Sequence, residues 1–207
     1  MQALSVEKLP EGRALVFKNG NQVRLVSRNN KPLNFPPLVD ALKSLPAKDV
    51  ILDGQIVALD EKGRPSFQLL QNHQSSETRV PLVYYVFDLL FLESKDLRNK
   101  PLSQRRKLLA GVLKKASATI RFSTELKGSR EDLLRLAQEF GLEGLVAKRP
   151  DSLYESGQRS GAWVKVKLTL NQKFVIGGYT MPEGAQQGKG RLLRITGGLQ
   201  KRYARIR

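Results

Sequence analysis

Alternating apolar and polar positions divide the first part of this chain into short strands. The alternation over Arg13–Lys18 and again over Gln22–Ser27 flanks Asn19-Gly20-Asn21, and this pattern predicts a β-hairpin with a tight turn. Val50–Asp60 is predicted as a further strand. Gly54 inside that strand indicates that another segment of backbone or a ring approaches it closely.

Helices are predicted between these strands. Pro36–Leu45 has proline in its first turn, and Ser103–Ala116 and Ser129–Phe140 are amphipathic and open on a serine suited to N-capping. Val80–Leu92 is almost continuously apolar, which is typical of a buried central strand. Helices interspersed among mainly antiparallel strands predict an α+β fold.

Two charged segments, Leu145–Lys148 and Trp163–Leu168, also read as strands. Side chains alternate between the two faces of a strand, so Trp163, Lys165 and Lys167 share one face and apolar residues form the other. A strand with one apolar face and two lysines on the opposite face predicts an anion-binding surface. A solvated sheet face with scattered lysines is the alternative, since charged strand faces are common.

The C-terminal region is predicted to contain further strands after a linker near residues 169–172. Lys173–Thr180 is one strand, in which Gly177-Gly178 marks a bulge or turn. Arg191–Ile195 and Leu199–Ile206 are expected to pair as a hairpin.

The charge of the chain narrows the classes of partner. The formal net charge is +17, which favours a polyanion, most often nucleic acid, over a small neutral ligand. Residues 171–207 contain eight Lys or Arg and one acidic residue, a net of +7. This concentration predicts a surface that contacts the phosphate backbone and binds in a salt-dependent way.

Composition also excludes several kinds of site. The chain has no cysteine, so disulfides and cysteine-ligated zinc are excluded, and a reducing compartment is expected. His73 is the single histidine, in a polar segment where a solvated loop residue is expected, so a histidine-based metal site or triad is not predicted. There is no apolar run of membrane-spanning length and residues 1–7 lack the pattern of a signal peptide, so we expect a cytoplasmic protein with no membrane partner.

Several motifs in a fixed order resemble one enzyme family. They are Asp53-Gly54-Gln55-Ile56-Val57-Ala58-Leu59-Asp60, the run Gly63–Gln71, Tyr85-Val86-Phe87-Asp88-Leu89-Leu90, Glu143-Gly144-Leu145-Val146-Ala147-Lys148-Arg149 and Trp163-Val164-Lys165-Val166-Lys167. In this order and spacing the chain resembles the adenylation domain of ATP-dependent DNA ligases. It is most similar to the ligase module of bacterial multi-domain end-joining ligases, over about residues 1–182.

The resemblance implies an architecture and a reaction. The fold would be an ATP-grasp-like nucleotidyltransferase domain over residues 1–170, with antiparallel sheets flanked by helices. A truncated OB-fold segment, basic and DNA-contacting, would follow over residues 171–207. ATP and Mg²⁺ are the implied cofactors, and nicked or broken double-stranded DNA is the implied partner. The resemblance also implies association with other end-joining repair modules or proteins and with the bacterial nucleoid.

The resemblance also assigns roles to individual residues. The α-phosphate of ATP is attacked by a lysine amine to give a lysyl-AMP, which passes AMP to a 5′-phosphate before the 3′-hydroxyl displaces it. Lys165 and Lys167 match phosphate-contacting, catalytic lysines, and Phe87 matches the aromatic residue that stacks on adenine. Nucleotide contacts are further assigned to Arg13, Arg28 and Glu143, and metal binding to Glu143 and Asp53. For each residue alone, core packing or a surface charge is the alternative, and Trp163 fits core packing equally well.

Two departures from the family pattern affect the chemistry. Gln55 stands where Glu is usual, which keeps the shape and removes the negative charge. The nucleophile motif, Lys-x-Asp-Gly-x-Arg, is degenerate: one alignment places Lys8 as nucleophile at the correct distance before Arg13, with Pro10 and Glu11 in place of Asp and Gly. The other alignment makes residues 8–12 the preceding loop, with the nucleophile segment absent between Gly12 and Arg13.

The sequence therefore leaves more than one function open. The first is an ATP-dependent DNA ligase that seals nicks or joins ends in DNA repair. The second is a ligase-derived nucleotide- or DNA-binding module that lacks the lysine nucleophile. An RNA ligase or a capping-type guanylyltransferase shares the same reaction logic, but the run from Asp53 to Gln71 is similar to the DNA ligase module. An unrelated RNA-binding domain is disfavoured because no aromatic-glycine stacking motif is present.

Overall fold

The computed structural model describes residues 3–5, 12–73, 80–126, 128–139, 144–157, 160–167, 175–180, 191–195 and 202–205. The chain divides into two compact units, Met1–Leu168 and Thr169–Arg207. In these described ranges, no helix is long and apolar enough to span a membrane.

Strands outnumber helices along the chain. The strands are β1 (Ala3–Ser5), β2 (Arg13–Asn19), β3 (Gln22–Ser27), β4 (Pro32–Leu33), β5 (Asp49–Leu59), β6 (Pro65–Ser66), β7 (Leu82–Leu92), β8 (Lys95–Asp96), β9 (Ile120–Phe122), β10 (Glu125–Leu126), β11 (Gly144–Lys148), β12 (Trp163–Lys167), β13 (Val175–Thr180), β14 (Arg191–Ile195) and β15 (Arg202–Arg205). The helices are α1 (Pro36–Lys43), α2 (Phe67–Asn72), α3 (Leu102–Leu113) and α4 (Arg130–Glu139). The mixed α+β class predicted from the sequence is confirmed.

The described residues of the first unit form two sheets. The large sheet has the order β4-β3-β2-β5-β7-β8, with β6 paired to β5 and β9 paired to β7. All of its pairings are antiparallel except β7 with β9, which is parallel. The smaller sheet has the order β10-β1-β11-β12 and is antiparallel throughout.

The second unit contributes the remaining sheet, of three strands in the order β13-β14-β15. The pairing of β13 with β14 shifts between Ile176 and Gly178, which confirms the bulge predicted there. Strands β14 and β15 are antiparallel neighbours, as the predicted hairpin requires.

The predicted hairpin of the first unit is confirmed. Of the two predicted serine N-caps, one is confirmed and the other is wrong. Strands β2 and β3 pair antiparallel around the turn after Asn19. Helix α4 is capped as predicted, because the Ser129 hydroxyl accepts a hydrogen bond from the Asp132 N–H at 3.1 Å. The predicted Ser103 cap of α3 is wrong: the helix begins at Leu102, after Pro101.

The main core lies between the large sheet and the helices α1 and α3. Its fully buried leucines come from strands and helices alike and include Leu25, Leu38, Leu42, Leu52, Leu89 and Leu109. A second, smaller cluster packs α4 on β11 through Leu133, Ala137 and Leu145. The apolar back predicted for β12 is only partly buried, because Val164 is 47% exposed and Val166 is half-buried, while Leu168 lies outside the described residues.

Gly54 marks a close approach, as predicted. The Tyr84 ring covers it, and the Tyr84 hydroxyl lies 2.9 Å from the Ala14 carbonyl oxygen and 3.3 Å from that of Leu52. Burial raises the pKa of Tyr84 well above its usual value, so the phenol stays a donor. A Cβ at position 54 would lie 2.5 Å from the Tyr85 carbonyl oxygen, so only glycine fits there.

Helix α3 is joined to the loop before β12. Pro101 has no side-chain acceptor, and the free N–H groups of the first turn are satisfied by carbonyls from that loop. The Leu102 N–H donates to the Ser152 oxygen at 2.9 Å, and the Ser103 N–H donates to the Pro150 oxygen at 2.8 Å. The Arg105 guanidinium also reaches the Ser152 oxygen, at 3.1 Å.

Arg105 is paired with Asp88 in the interior. Both side chains are fully buried, and the guanidinium donates to the two carboxylate oxygens at 2.7 and 2.9 Å. Burial raises the pKa of Asp88, although the hydrogen bonds and charge of Arg105 oppose the rise. The pair fixes α3 against β7 and therefore the strand that carries Phe87.

Gly54→Ala is expected to destabilise the protein by at least about 2 kcal/mol, because the added methyl overlaps backbone and ring atoms that cannot both move. Gly111→Ala in α3 is the matched control, since nothing lies within 4 Å of its added Cβ. The control should stabilise the helix by up to about 1 kcal/mol. Urea unfolding of both variants measures the difference, and equal effects would refute the close approach.

Arg105→Ala should cost about 3–5 kcal/mol of unfolding free energy, because it leaves the Asp88 carboxylate buried without its partner. Lys107→Ala, on the exposed face of the same helix, should change stability by less than about 0.5 kcal/mol. Chemical denaturation tests both, and a small loss for Arg105→Ala would show that the pair contributes little to the fold.

Candidate active site

Asp53 lies at the centre of a polar cluster between the two sheets of the first unit. Its side chain is 0% exposed. The Arg13 guanidinium donates to both oxygens, from Nε to Oδ1 at 3.0 Å and from Nη2 to Oδ2 at 2.5 Å. This two-point geometry is the strong form of a carboxylate–arginine contact. The Arg13 side chain keeps 34% of its surface exposed, so it can also face a ligand.

Tyr154 completes the hydrogen bonding of Asp53. Its hydroxyl donates to Oδ2 at 2.9 Å and lies 3.4 Å from the Arg13 Nη2. Burial, together with the Asp53 charge, raises the pKa of the Tyr154 phenol, so the group remains protonated and acts as a donor. The Tyr154 N–H is held by the Arg98 carbonyl at 3.0 Å.

Two aromatic rings and a lysine lie beside this carboxylate. Phe87 and Trp163 meet edge to face, with ring centroids 5.7 Å apart. The Lys148 Nζ lies 3.7 Å from the Phe87 centroid and 3.8 Å from the Trp163 centroid, and the Arg13 Cζ lies 5.7 and 5.6 Å from the same two centroids. We call the whole group the Asp53 cluster, which consists of Arg13, Asp53, Phe87, Lys148, Tyr154 and Trp163.

The described charged side chains of this region are of both signs. Two carboxylates, Asp53 and Asp88, face three cations, Arg13, Arg105 and Lys148. Aromatic rings and charged side chains therefore lie side by side in the Asp53 cluster.

The structure places the remaining predicted site residues in several positions. Lys8 and Glu143 lie outside the described residues, and Lys167 is described only as a backbone position in β12, opposite Gly144. Lys165 is exposed on the same strand, and Arg28 is exposed in the turn after β3. Of the predicted residues, Arg13, Asp53 and Phe87 come together in the Asp53 cluster.

Magnesium binding by Asp53 does not fit this arrangement. Both of its oxygens accept hydrogen bonds from Arg13, and one also accepts from Tyr154. Over the part of the chain that the structure describes, no three His, Cys, Asp or Glu side chains are grouped as a metal site would require. A role of Glu143 in binding Mg²⁺ stays a prediction.

The backbone runs directly from Gly12 into β2. Arg13 pairs with Gln55, and the Gly12 carbonyl continues the pairing by accepting from the Ile56 N–H at 2.7 Å. A Cβ at Gly12 would lie 2.5 Å from the Ile56 oxygen, so the position has no room for a side chain. In this 207-residue sequence Arg13 follows Gly12 directly, with no Lys-x-Asp-Gly segment between them.

Sequence reasoning assigned no role to two members of the cluster, Tyr154 and Lys148. Tyr154 is 101 residues from Asp53 in the chain, so no local pattern connects them. Lys148 gave a weak signal, because it is a charged residue at the end of the apolar run 144–147. Its burial, at 1% exposure, shows that this lysine is not a surface charge. His73, expected as a solvated loop residue, is half-buried and stacks on Phe35 with centroids 5.8 Å apart.

A family model described as the ATP dependent DNA ligase domain matches residues 5–167. The chain belongs to this family. The match includes every member of the Asp53 cluster and all the strands of the first unit except the first two residues of β1.

Several curated relatives are similar to this member of the ligase family. The multifunctional non-homologous end joining protein LigD of Pseudomonas aeruginosa is 42% identical over 189 residues, which are 90% of this chain and 22% of that protein. The LigD end joining DNA repair protein of Mycobacterium tuberculosis is 37% identical over 184 residues, 87% of this chain and 24% of that protein. The chain thus spans less than a quarter of the length of these relatives.

Solved ligase structures share the fold. The ligase domain of M. tuberculosis LigD matches with a TM-score of 0.68 at 29% identity, over 99% of this chain and 66% of that one. A mycobacterial DNA ligase D complexed with ATP and MES matches with a TM-score of 0.69 at 32% identity, over the same shares of the two chains, 99% and 66%. The fold of this chain is therefore that of the nucleotidyltransferase domain of DNA ligases.

Tyr154→Phe should lower the unfolding free energy by about 1.5–3 kcal/mol, because it removes a hydrogen bond to a buried carboxylate. Tyr85→Phe is the control: its hydroxyl contacts the exposed Arg121 at 3.4 Å, and its loss should cost less than about 0.5 kcal/mol. Urea unfolding of the two variants makes the comparison. Equal losses would show that Tyr154 does not hold the Asp53 cluster.

Proposed function

We propose that this chain is the nucleotide-binding and adenylyl-transferring part of an ATP-dependent DNA ligase that acts in end joining. The observation that carries the proposal is the Asp53 cluster, which places the Phe87–Trp163 aromatic pair beside the cations Arg13 and Lys148 within a matched ligase domain. ATP combines a flat adenine ring, which could stack on an aromatic side chain, with an anionic triphosphate, which could bind the cations.

ATP binding would use the residues that the family resemblance assigns. The adenine ring would stack on Phe87, while Arg13, Arg28, Lys165 and Lys167 would bind the ribose and the phosphates. Glu143 would bind the nucleotide or a magnesium ion. The expectation of Mg²⁺ binding comes from the family resemblance alone. Fixed positive side chains around the phosphates would stabilise the charge that develops in phosphoryl transfer.

Lys8 is the proposed nucleophile. Its neutral amine would attack the α-phosphorus of ATP, so that a phosphorus–nitrogen bond forms, the bond to the β-phosphate oxygen breaks, and pyrophosphate leaves. The attacking amine loses one proton. AMP would then pass to the 5′-phosphate of a DNA break, and the 3′-hydroxyl would displace it to close the strand.

The partner is proposed to be nicked or broken double-stranded DNA. The second unit carries the +7 charge of residues 171–207, and we interpret it as part of an OB-fold that contacts the DNA backbone. Binding to phosphates through lysine and arginine would weaken steeply as salt rises. Other end-joining modules, a cytoplasmic location and association with the nucleoid are further parts of this proposal.

Intact mass spectrometry after incubation with ATP and Mg²⁺ tests the covalent step. We expect a mass increase of one AMP that peptide mapping places on Lys8, and Lys8→Ala should abolish it. Lys62→Ala, which changes an exposed lysine in the turn before β6, should leave the adduct intact. An adduct on a different lysine would transfer the nucleophile role to that residue.

A wild-type chain that binds ATP and nicked duplex but never gains the AMP mass would overturn the ligase proposal. That outcome would favour the alternative function, a ligase-derived nucleotide- or DNA-binding module. The similarity to DNA ligases does not favour this alternative. Retention of nicked duplex should in either case fall steeply between low and high salt.

A further inference from the structure

The stretch of residues 97–124 around helix α3 contains no acidic residue. It holds eight Lys or Arg, in a chain that has 36 Lys or Arg and 19 Asp or Glu overall. Two of the eight, Arg105 and Arg106, are buried and pair with acids from other elements. The other six are exposed, so this part of the surface of the first unit is strongly basic.

Three of the exposed lysines lie on or directly after α3. Lys107 and Lys114 are seven residues apart, which is about two turns, so they lie above one another on the outer side of the helix. Lys115 follows directly, and all three are exposed. Between the two helical lysines, the exposed Ala110 and Gly111 present no bulky side chain. We call Lys107, Lys114 and Lys115 the α3 lysine face.

Other helices of the chain pair their exposed cations with acids. In α1, Lys43 pairs with Asp40 at 3.1 Å, and in α4, Arg135 pairs with Asp132 at 2.7 Å. Among the described residues, the lysines of the α3 lysine face make no ion pair and no side-chain hydrogen bond. An acid in the first turn would stabilise the helix, and α3 has none there. The stability of α3 therefore does not explain this concentration of like charge.

The spacing of the lysines fits a nucleic acid backbone. At 1.5 Å per residue, Lys107 and Lys114 are about 10 Å apart along the helix axis. One strand of a DNA duplex advances about 3.4 Å per phosphate along its axis, so this separation spans about three phosphates. A lysine ammonium is a compact charge on a flexible stem and binds a phosphate without needing a fixed orientation. Both lysines can therefore contact the same backbone.

We propose that the α3 lysine face binds the phosphate backbone of duplex DNA. It is a contact surface of the first unit, in addition to the basic residues 171–207. The first turn of α3 is hydrogen-bonded to the loop that carries Tyr154, through the Leu102 N–H and the Ser152 oxygen at 2.9 Å. Duplex bound on α3 is therefore held by the helix that also anchors the loop of the Asp53 cluster. This inference rests on the proposed function, because it takes duplex DNA as the partner.

The salt dependence of binding to a nicked duplex tests the surface. The test variant of the full chain is the double substitution Lys107→Ala with Lys114→Ala. The matched control, Lys48→Ala with Lys62→Ala, removes the same charge from two other exposed lysines. The backbone N–H groups of both control lysines donate to nearby carboxylates, at 2.7 and 2.9 Å, so a phosphate is repelled there. A third variant, Lys107→Arg with Lys114→Arg, keeps the charge on α3.

The quantity measured is the slope of the logarithm of the binding constant against the logarithm of the salt concentration. In the α3 alanine variant the slope should become less steep by about 1.8, which is about 0.9 for each of two lost phosphate contacts. The control and the arginine variant should keep the slope of the wild-type chain. A wild-type slope in the α3 alanine variant would overturn the inference and would favour an acidic protein surface as the partner of these lysines.

Measuring the AMP adduct on the same preparations separates this inference from the proposed function. If the wild-type chain gains the AMP mass while the α3 alanine variant keeps the wild-type slope, the inference alone is wrong. If the slope changes as expected but no AMP mass appears, the DNA surface is supported and the ligase reaction is not. If the wild-type chain does not bind the duplex at any salt concentration, the proposed DNA partner and the inference are both wrong.

Discussion

The burial of Asp53 is the constraint on which the site depends. A carboxylate taken fully out of water is tolerated only when its charge and its hydrogen-bonding capacity are met inside the protein. Arg13 supplies the charge from the neighbouring strand β2, and Tyr154 supplies a further donor from the loop between β11 and β12. One buried group therefore holds together three segments that are remote in sequence.

The same constraint sets the positions of the aromatic residues. The loop that brings Tyr154 is anchored by carbonyls that cap α3, and α3 in turn is fixed to β7 by the Arg105–Asp88 pair. Arg106, next in the helix, donates to the Phe87 carbonyl oxygen at 3.1 Å. The orientation of Phe87 towards Trp163 is thus supported from the back of the strand as well as from the site, as a preorganised binding surface requires.

The residues of the Asp53 cluster are distinct from the positions at which the chain departs from the family motifs. The Asp53 cluster is held by the hydrogen bonds from Arg13 and Tyr154, whereas Gly12, directly before β2, has no room for a side chain. Gln55, two residues after Asp53 in the same family motif, is buried and neutral. Neither departure alters the groups that pair with Asp53.

The sequence predicted the parts of the structure that local patterns determine. The β2–β3 hairpin, the close approach at Gly54 and the bulge at residues 176–178 follow from turn chemistry and glycine, which act over a few residues. The N-terminal end of α3 was misplaced because its cap comes from Pro150 and Ser152, far along the chain. The exposure of Val164 likewise depends on what packs on β12, which alternation alone does not state.

Within the site, the family motifs predicted Arg13 and Phe87 but not what surrounds them. The roles of Tyr154 and Lys148 arise only when the two sheets meet, since each acts on a residue of the other sheet. A crystal structure of the chain with a non-hydrolysable ATP analogue tests the account most directly. It should show the purine against the Phe87–Trp163 pair and the Arg13–Asp53–Tyr154 contacts unchanged. An analogue bound elsewhere, or an Asp53 carboxylate released from Arg13 to a metal, would contradict it.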